Sequence, residues 1–164
     1  MEKITFIINP TAGYKRFRMV EDSILKYINK KKFKFNIEYS KKIGDVKNLT
    51  KKAIACGANI IIAVGGDGTV NEVSSELVNS NIKMGVIPVG SGNGLALCLG
   101  IPTNIKKAIE KINQILVDSS ISSYHITYLE IINFYNDVCC NYDDFENNLD
   151  IFERIYIKTS FVVN

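Results

Sequence analysis

Val64-Gly65-Gly66-Asp67-Gly68-Thr69-Val70-Asn71-Glu72-Val73 decides how this chain folds, because of what stands on either side of it. Before it runs Ile60-Ile61-Ile62-Ala63-Val64, almost wholly apolar, as a strand covered on both faces must be. After it, Val70, Val73 and Leu77 recur at helical spacing. A buried strand, a glycine turn and a helix in succession make a phosphate-binding loop. Glycines let backbone N–H groups approach an anion without a Cβ in the way, and the helix end is partially positive. A second such segment, Pro88-Val89-Gly90-Ser91-Gly92-Asn93-Gly94-Leu95-Ala96, follows the apolar stretch from Ile82 to Ile87. The first loop also carries Asp67 and Glu72. Carboxylates beside a phosphate cradle repel the phosphate unless a divalent cation lies between them. Two glycine loops with acidic side chains therefore point to a nucleoside triphosphate and Mg²⁺, with Asp67 and Glu72 as candidate metal ligands.

Working outward, Lys3 to Asn9 reads as a buried strand ending at Pro10-Thr11-Ala12-Gly13. Phe17, Val20, Ile24, Tyr27 and Ile28 then recur at helical spacing. Phe33 to Tyr39 alternates apolar with polar, as a half-exposed strand does. A second helix carries Val46, Leu49, Ala53 and Ile54 on one face, with Gly57 placed to stop it. A short helix follows the second glycine loop and ends at Gly100-Ile101-Pro102. Ile105, Ala108, Ile109, Ile112 and Leu116 define a last one. The order β-α-β-α-β-α-β-α-α predicts a three-layer, doubly wound α/β domain over residues 1–116. Ligands of such folds bind beyond the carboxyl ends of the strands, where these loops begin.

From residue 117 to 164 the character changes. Ile126 to Tyr135 reads as a strand, Asp143 to Asp150 as an acidic loop, and Tyr156 to Val163 as a last strand or helix start. Two or three strands cannot close a sheet of their own, so this stretch reads as the start of an incomplete β-rich unit. It is expected to leave apolar surface exposed and to favour homo-oligomer formation.

The 164 residues allow one domain and part of another. With 46% hydrophobic and 23% charged residues, global disorder is excluded. The net charge of +3 suits a protein that handles phosphates or an anionic membrane surface, and equally a solvated surface with surplus lysine. No interleaved basic and aromatic motif points to nucleic acid. The apolar part of Met1 to Pro10 is too short for a signal peptide, and no later stretch is long enough to cross a bilayer. A cytoplasmic location is expected. Cys56, Cys98, Cys139 and Cys140 lack CxxC spacing, and His125 is the only histidine, so reduced, mostly buried thiols are expected in place of a zinc site. Ser119, Ser120, Ser122 and Ser123 read as loop.

Asn9-Pro10-Thr11-Ala12-Gly13 and the two glycine segments, in this order and spacing, resemble the catalytic domain of diacylglycerol kinases and sphingosine-kinase-like lipid kinases. The resemblance covers residues 1 to about 116. Gly-Gly-Asp-Gly alone is shared with NAD kinases and 6-phosphofructokinases; the Gly-Ser-Gly-Asn-Gly-Leu-Ala loop turns the choice to lipid kinases. The resemblance implies ATP-dependent phosphorylation of a lipid hydroxyl of the diacylglycerol or long-chain-base type, with Mg²⁺, at the inner membrane face. It places the nucleotide against Asn9, Pro10, Thr11, Ala12, Gly13 and Ser40. Phosphates and metal would lie along Gly65, Gly66, Asp67, Gly68, Thr69, Val70, Asn71 and Glu72, with Ser91, Gly92 and Asn93 closing the pocket. Asp67 is the candidate catalytic residue, holding Mg²⁺ through water or standing near the acceptor hydroxyl. Taken singly, Asp67 also suits a tight turn and Glu72 the first turn of a helix.

Three features depart from the family's pattern. Of the β-sandwich that follows in these kinases only a truncated start is expected, over residues 117–164, and nothing here matches its Asp-Gly-Glu element. Val138-Cys139-Cys140-Asn141-Tyr142-Asp143-Asp144 stands where relatives have a glycine-containing turn. Leu97 takes the place of an arginine. Two alternatives therefore stand beside a lipid kinase: a non-catalytic nucleotide-binding remnant and an NAD kinase-like enzyme. Gly94, where diacylglycerol-type relatives have aspartate, leans toward the sphingosine-kinase-like side.

Overall fold

The computed structural model describes residues 1–13, 16–77 and 80–117. Along them run β1 (Glu2–Ile8), α1 (Arg16–Tyr27), β2 (Phe33–Tyr39), α2 (Asp45–Ala55), β3 (Ile60–Gly65), α3 (Asp67–Leu77), β4 (Lys83–Pro88), α4 (Gly94–Cys98) and α5 (Ile105–Val117). The strands form one parallel sheet in the order β2-β1-β3-β4. Ile8 lies opposite Tyr39 on one side and Val64 on the other, and Gly65 lies opposite Pro88.

Successive strand residues point to opposite faces, so an unbroken apolar run needs cover on both. Both faces have it. Ile4, Phe6 and Ile8 of β1, with Ile60, Ile62 and Val64 of β3, pack against Val20 and Ile24 of α1 and Ala108 and Ile109 of α5. The alternate residues Ile7, Ile61 and Ala63 pack against Val46 and Ala53 of α2 and Val70 and Val73 of α3. This is the three-layer, doubly wound arrangement that the order of elements predicts. At the edge, β2 keeps Phe33 buried while Lys34 and Asn36 face solvent.

Two details differ from expectation. Asn9 leaves the sheet one residue early, although its N–H still donates to the Val64 carbonyl at 2.9 Å. Cys56 is exposed, not buried, because it caps the solvent end of α2 just before Gly57 turns the chain at φ 75°. The strands expected over residues 126–135 and 156–163 lie outside the described residues, as do the acidic loop, His125, Cys139 and Cys140. No described helix is long and apolar enough to cross a membrane.

Candidate active site

In a sheet ordered β2-β1-β3-β4 the chain leaves β1 and β3 in opposite directions, which opens a crevice at their carboxyl ends. The three loops that follow β1, β3 and β4 all emerge at that edge. They line a cleft of about 550 Å³ that includes Asn9, Thr11, Gly13, Gly66, Asp67, Gly68, Glu72 and Ser91. That volume is within the usual range for a small-molecule site.

Backbone contact without side chains sets the loops this close. A Cβ on Gly90 would stand 2.5 Å from the Cα of Gly66, well inside any allowed contact. Gly13 sits at φ 69°, and a Cβ there would fall 1.8 Å from the Val89 carbonyl oxygen. These glycines are required by the approach of one loop to another. Polar contacts then lock the set. Asn9 donates from Nδ2 to Thr69 Oγ1 at 3.1 Å, and its Oδ1 accepts from the Thr11 N–H and hydroxyl. Val89 N–H donates to the Gly65 carbonyl at 3.0 Å, and Asn93 Nδ2 donates to the Gly90 carbonyl at 2.7 Å. Asn93 itself takes a left-handed conformation (φ 55°), which asparagine tolerates better than most side chains.

Among the described residues, two carboxylates and one guanidinium face this cleft. Asp67 opens α3 and reaches the second loop, where its Oδ1 accepts a long, weak bond from Leu95 N–H at 3.4 Å. Glu72 lies in the second turn of α3, and its Oε2 is buried without a hydrogen-bond partner among the described residues. A buried carboxylate oxygen without a donor is costly unless a cation or a ligand proton meets it. Among the described residues no three His, Cys, Asp or Glu side chains cluster into a complete metal cage. The donor set fits Mg²⁺, which takes one or two carboxylates and completes its shell with water and substrate phosphates. Arg16, the first residue of α1, is the guanidinium.

Tyr39 holds the entry to α1 in place. Its ring packs edge-on against Phe17 at 6.4 Å, and its hydroxyl donates to the Glu21 carboxylate. Burial first, and then that carboxylate, push the Tyr39 phenol well above its ordinary pKa.

Of the residues expected at the site, the structure brings Asn9, Thr11, Ala12, Gly13, Gly66, Asp67, Gly68, Thr69, Glu72, Ser91 and Gly92 to the cleft wall. It does not bring Pro10, Ser40, Gly65, Val70, Asn71 or Asn93 there. Ser40 is buried at the end of β2 with its N–H on the Ile8 carbonyl. Val70 belongs to the core, Asn71 faces solvent, and Gly65 and Asn93 support the loops from behind. Arg16, Val89 and Gly90 line the cleft without having been singled out. For Arg16 the one available signal was a basic residue opening a helix just beyond a glycine turn.

Residues 3–122 match the family model described as the diacylglycerol kinase catalytic domain. A diacylglycerol kinase of Staphylococcus carnosus is 33% identical over 113 residues, covering 68% of this chain and 37% of that protein. One from Bacillus subtilis is 34% identical over 115 residues, covering 68% of this chain and 38% of its own length. The chain thus matches little more than a third of these relatives. A crystal structure of a diacylglycerol kinase from Bacillus anthracis superposes with a TM-score of 0.57 at 31% identity, covering 69% of this chain and 39% of that one.

Proposed function

This chain belongs to the diacylglycerol kinase catalytic-domain family, and from that premise we propose that its cleft holds ATP with Mg²⁺ and phosphorylates a lipid hydroxyl. The acceptor is of the diacylglycerol or long-chain-base type. The observation that carries this reading is Gly68. It lies in the first turn of α3, outside the left-handed region, and a Cβ there would meet nothing within 4 Å among the described residues. Glycine at a helical position costs up to about 1 kcal/mol relative to alanine. Neither strain nor packing among the described residues asks for it. A phosphate resting on the Gly66 to Thr69 amides does.

Each residue then has a physical task. Backbone N–H groups at the start of α3 take the phosphate oxygens. Arg16 is a cation at the start of a helix with no acidic residue in its first turn, which the helix dipole disfavours by a few tenths of a kcal/mol. A polyphosphate beside it reverses that sign. Glu72 Oε2 and Asp67 would hold the cation, whose contribution when bound is to neutralise charge on the transferring phosphoryl group. In the transfer, the acceptor hydroxyl oxygen bonds to the γ-phosphorus while the bond to the β,γ-bridging oxygen breaks. ADP leaves with that electron pair, and the hydroxyl proton passes to a carboxylate; Asp67 takes that part in the arrangement where it stands near the acceptor hydroxyl and leaves the cation to Glu72.

Leu97 favours a second reading, nucleotide binding without transfer. It is 59% exposed and stands where the family resemblance implies an arginine, a cation that could assist phosphate. The test is incubation of the chain with γ-labelled ATP, Mg²⁺ and micelles containing diacylglycerol or a sphingoid base. Label in either lipid supports the kinase. Bound nucleotide with unlabelled lipid leaves the second reading, and labelled NADP from added NAD would move the assignment to a soluble dinucleotide.

A further inference from the structure

Ile43 is fully exposed, the extreme case among the described large apolar side chains. It stands at the tip of the turn between β2 and α2, directly after Lys41 and Lys42, which are also exposed. This turn leaves the carboxyl edge of the sheet, the edge at which the cleft opens. The Phe17–Tyr39 ring contact brings the start of α1 beside the end of β2, so Arg18 and Met19 share this corner. Met19 is 61% exposed.

Three of the acidic groups around the turn, Asp45, Glu38 and Glu21, are engaged within the fold. Asp45 Oδ2 accepts from the backbone N–H groups of Lys41 and Lys42 at 2.8 and 3.1 Å. Glu38 pairs with Lys52 at 3.1 Å, and Glu21 accepts from Tyr39. Lys41 and Lys42 have no ion pair among the described residues. Asp22 of α1 is the one exposed carboxylate of this corner among the described residues, close enough to act on Tyr39, while the tip itself presents Lys41 and Lys42 beside the apolar Ile43.

We propose that the Lys41-Lys42-Ile43 turn is a docking point for an anionic lipid bilayer, with Ile43 entering the headgroup layer and the two lysines pairing with phosphate or carboxylate headgroups. Basic side chains gain from the negative potential of such a surface, and a short apolar insertion adds to them. A protein partner would bury Ile43 equally well, but the pairing of an apolar tip with flanking lysines matches the layered chemistry of a membrane surface. The proposal rests on the lipid-kinase reading for its purpose: docking here turns the cleft-bearing edge toward the substrate's own phase.

The test is co-sedimentation of the full chain with vesicles of phosphatidylcholine alone or with about a third phosphatidylglycerol. Binding is expected only with phosphatidylglycerol and is expected to fall with added salt. Lys41→Gln/Lys42→Gln should weaken it by about 25-fold, taking about fivefold per charge. Ile43→Ser should weaken it by about fivefold. Lys31→Gln/Lys32→Gln removes the same charge at the opposite sheet edge and should leave binding close to wild type. Thermal melts and ATP titration are run on all variants. An unchanged melt with lost vesicle binding identifies the turn as the contact. Equal binding by the wild type and both turn variants, or no wild-type binding, overturns the proposal. Loss of ATP binding in the wild type would sink the kinase reading while leaving the vesicle result to stand or fall by itself. Binding of the turn to a protein but not to vesicles would also overturn it.

Discussion

Gly66 and Gly90 meet Cα to Cα across the floor of the cleft, close enough that a Cβ on Gly66 would come within 3.3 Å of Gly90. Their contact joins the loop after β3 to the loop after β4 and makes one site of two glycine motifs that lie far apart in the chain. Gly90→Ala should separate them. Its Cβ would strike the Gly66 Cα at 2.5 Å and Asn93 Oδ1 at 3.0 Å, and the nearest of these is backbone, which cannot swing aside. We expect a loss of about 1–3 kcal/mol in a denaturant melt and at least a tenfold weaker ATP affinity.

Asn9 and Thr69 form the corresponding link between the loop after β1 and α3. Thr69→Val keeps the shape and removes the acceptor of the 3.1 Å bond from Asn9 Nδ2. A cost of about 1 kcal/mol is expected in stability, from a part-buried donor left unmet. Nucleotide affinity should fall with it, and an unchanged melt would show that this bond does not hold the loops.

Arg16→Gln separates charge from packing. If Arg16 meets phosphate, affinity should drop in the order ATP, ADP, adenosine, with adenosine unaffected. Chain stability should stay level or rise by a few tenths of a kcal/mol, since a cation leaves the start of α1. Equal losses for ATP and adenosine would place the guanidinium elsewhere.

Tyr39 provides a pH signature. Its phenol is held protonated in the fold, by burial first and by Glu21 next. A group whose folded pKa is raised lends stability below its unfolded pKa, near 10 for tyrosine, and loses it as pH climbs toward the folded value. The wild type should therefore exceed Tyr39→Phe by a constant margin up to about pH 10 and lose that margin above it. Urea melts at pH 8, 10 and 11 measure this, and a margin that grows above pH 10 would contradict the assignment.

Much of the fold was legible because burial on two faces leaves an unmistakable trace. Ile60 to Val64 had to be a central strand, and alternation in Phe33 to Tyr39 marked an edge. The site was legible only in part, for a geometrical reason. A motif is contiguous in sequence, but residues on a helix turn by about 100° each. Asp67, Gly68 and Glu72 therefore face the cleft while Val70 enters the core; Asn71, one turn along from Asp67, is exposed outside the cleft wall. Ser40 ends a strand whose last N–H is spent on Ile8, so it stays behind the wall. Arg16 was missed because its place depends on the left-handed turn at Gly13, whose direction no local pattern announces.

Calorimetric titration of ATP with Mg²⁺ into the wild type and Gly68→Ala probes the central claim most directly. The added methyl has open space and no strained φ, so the melting temperature should hold or rise. Wild type should bind one ATP per chain, and Gly68→Ala should bind at least tenfold more weakly, because the methyl occupies ground reserved for phosphate. Wild-type affinity in Gly68→Ala, or no ATP binding by either chain, would contradict the account.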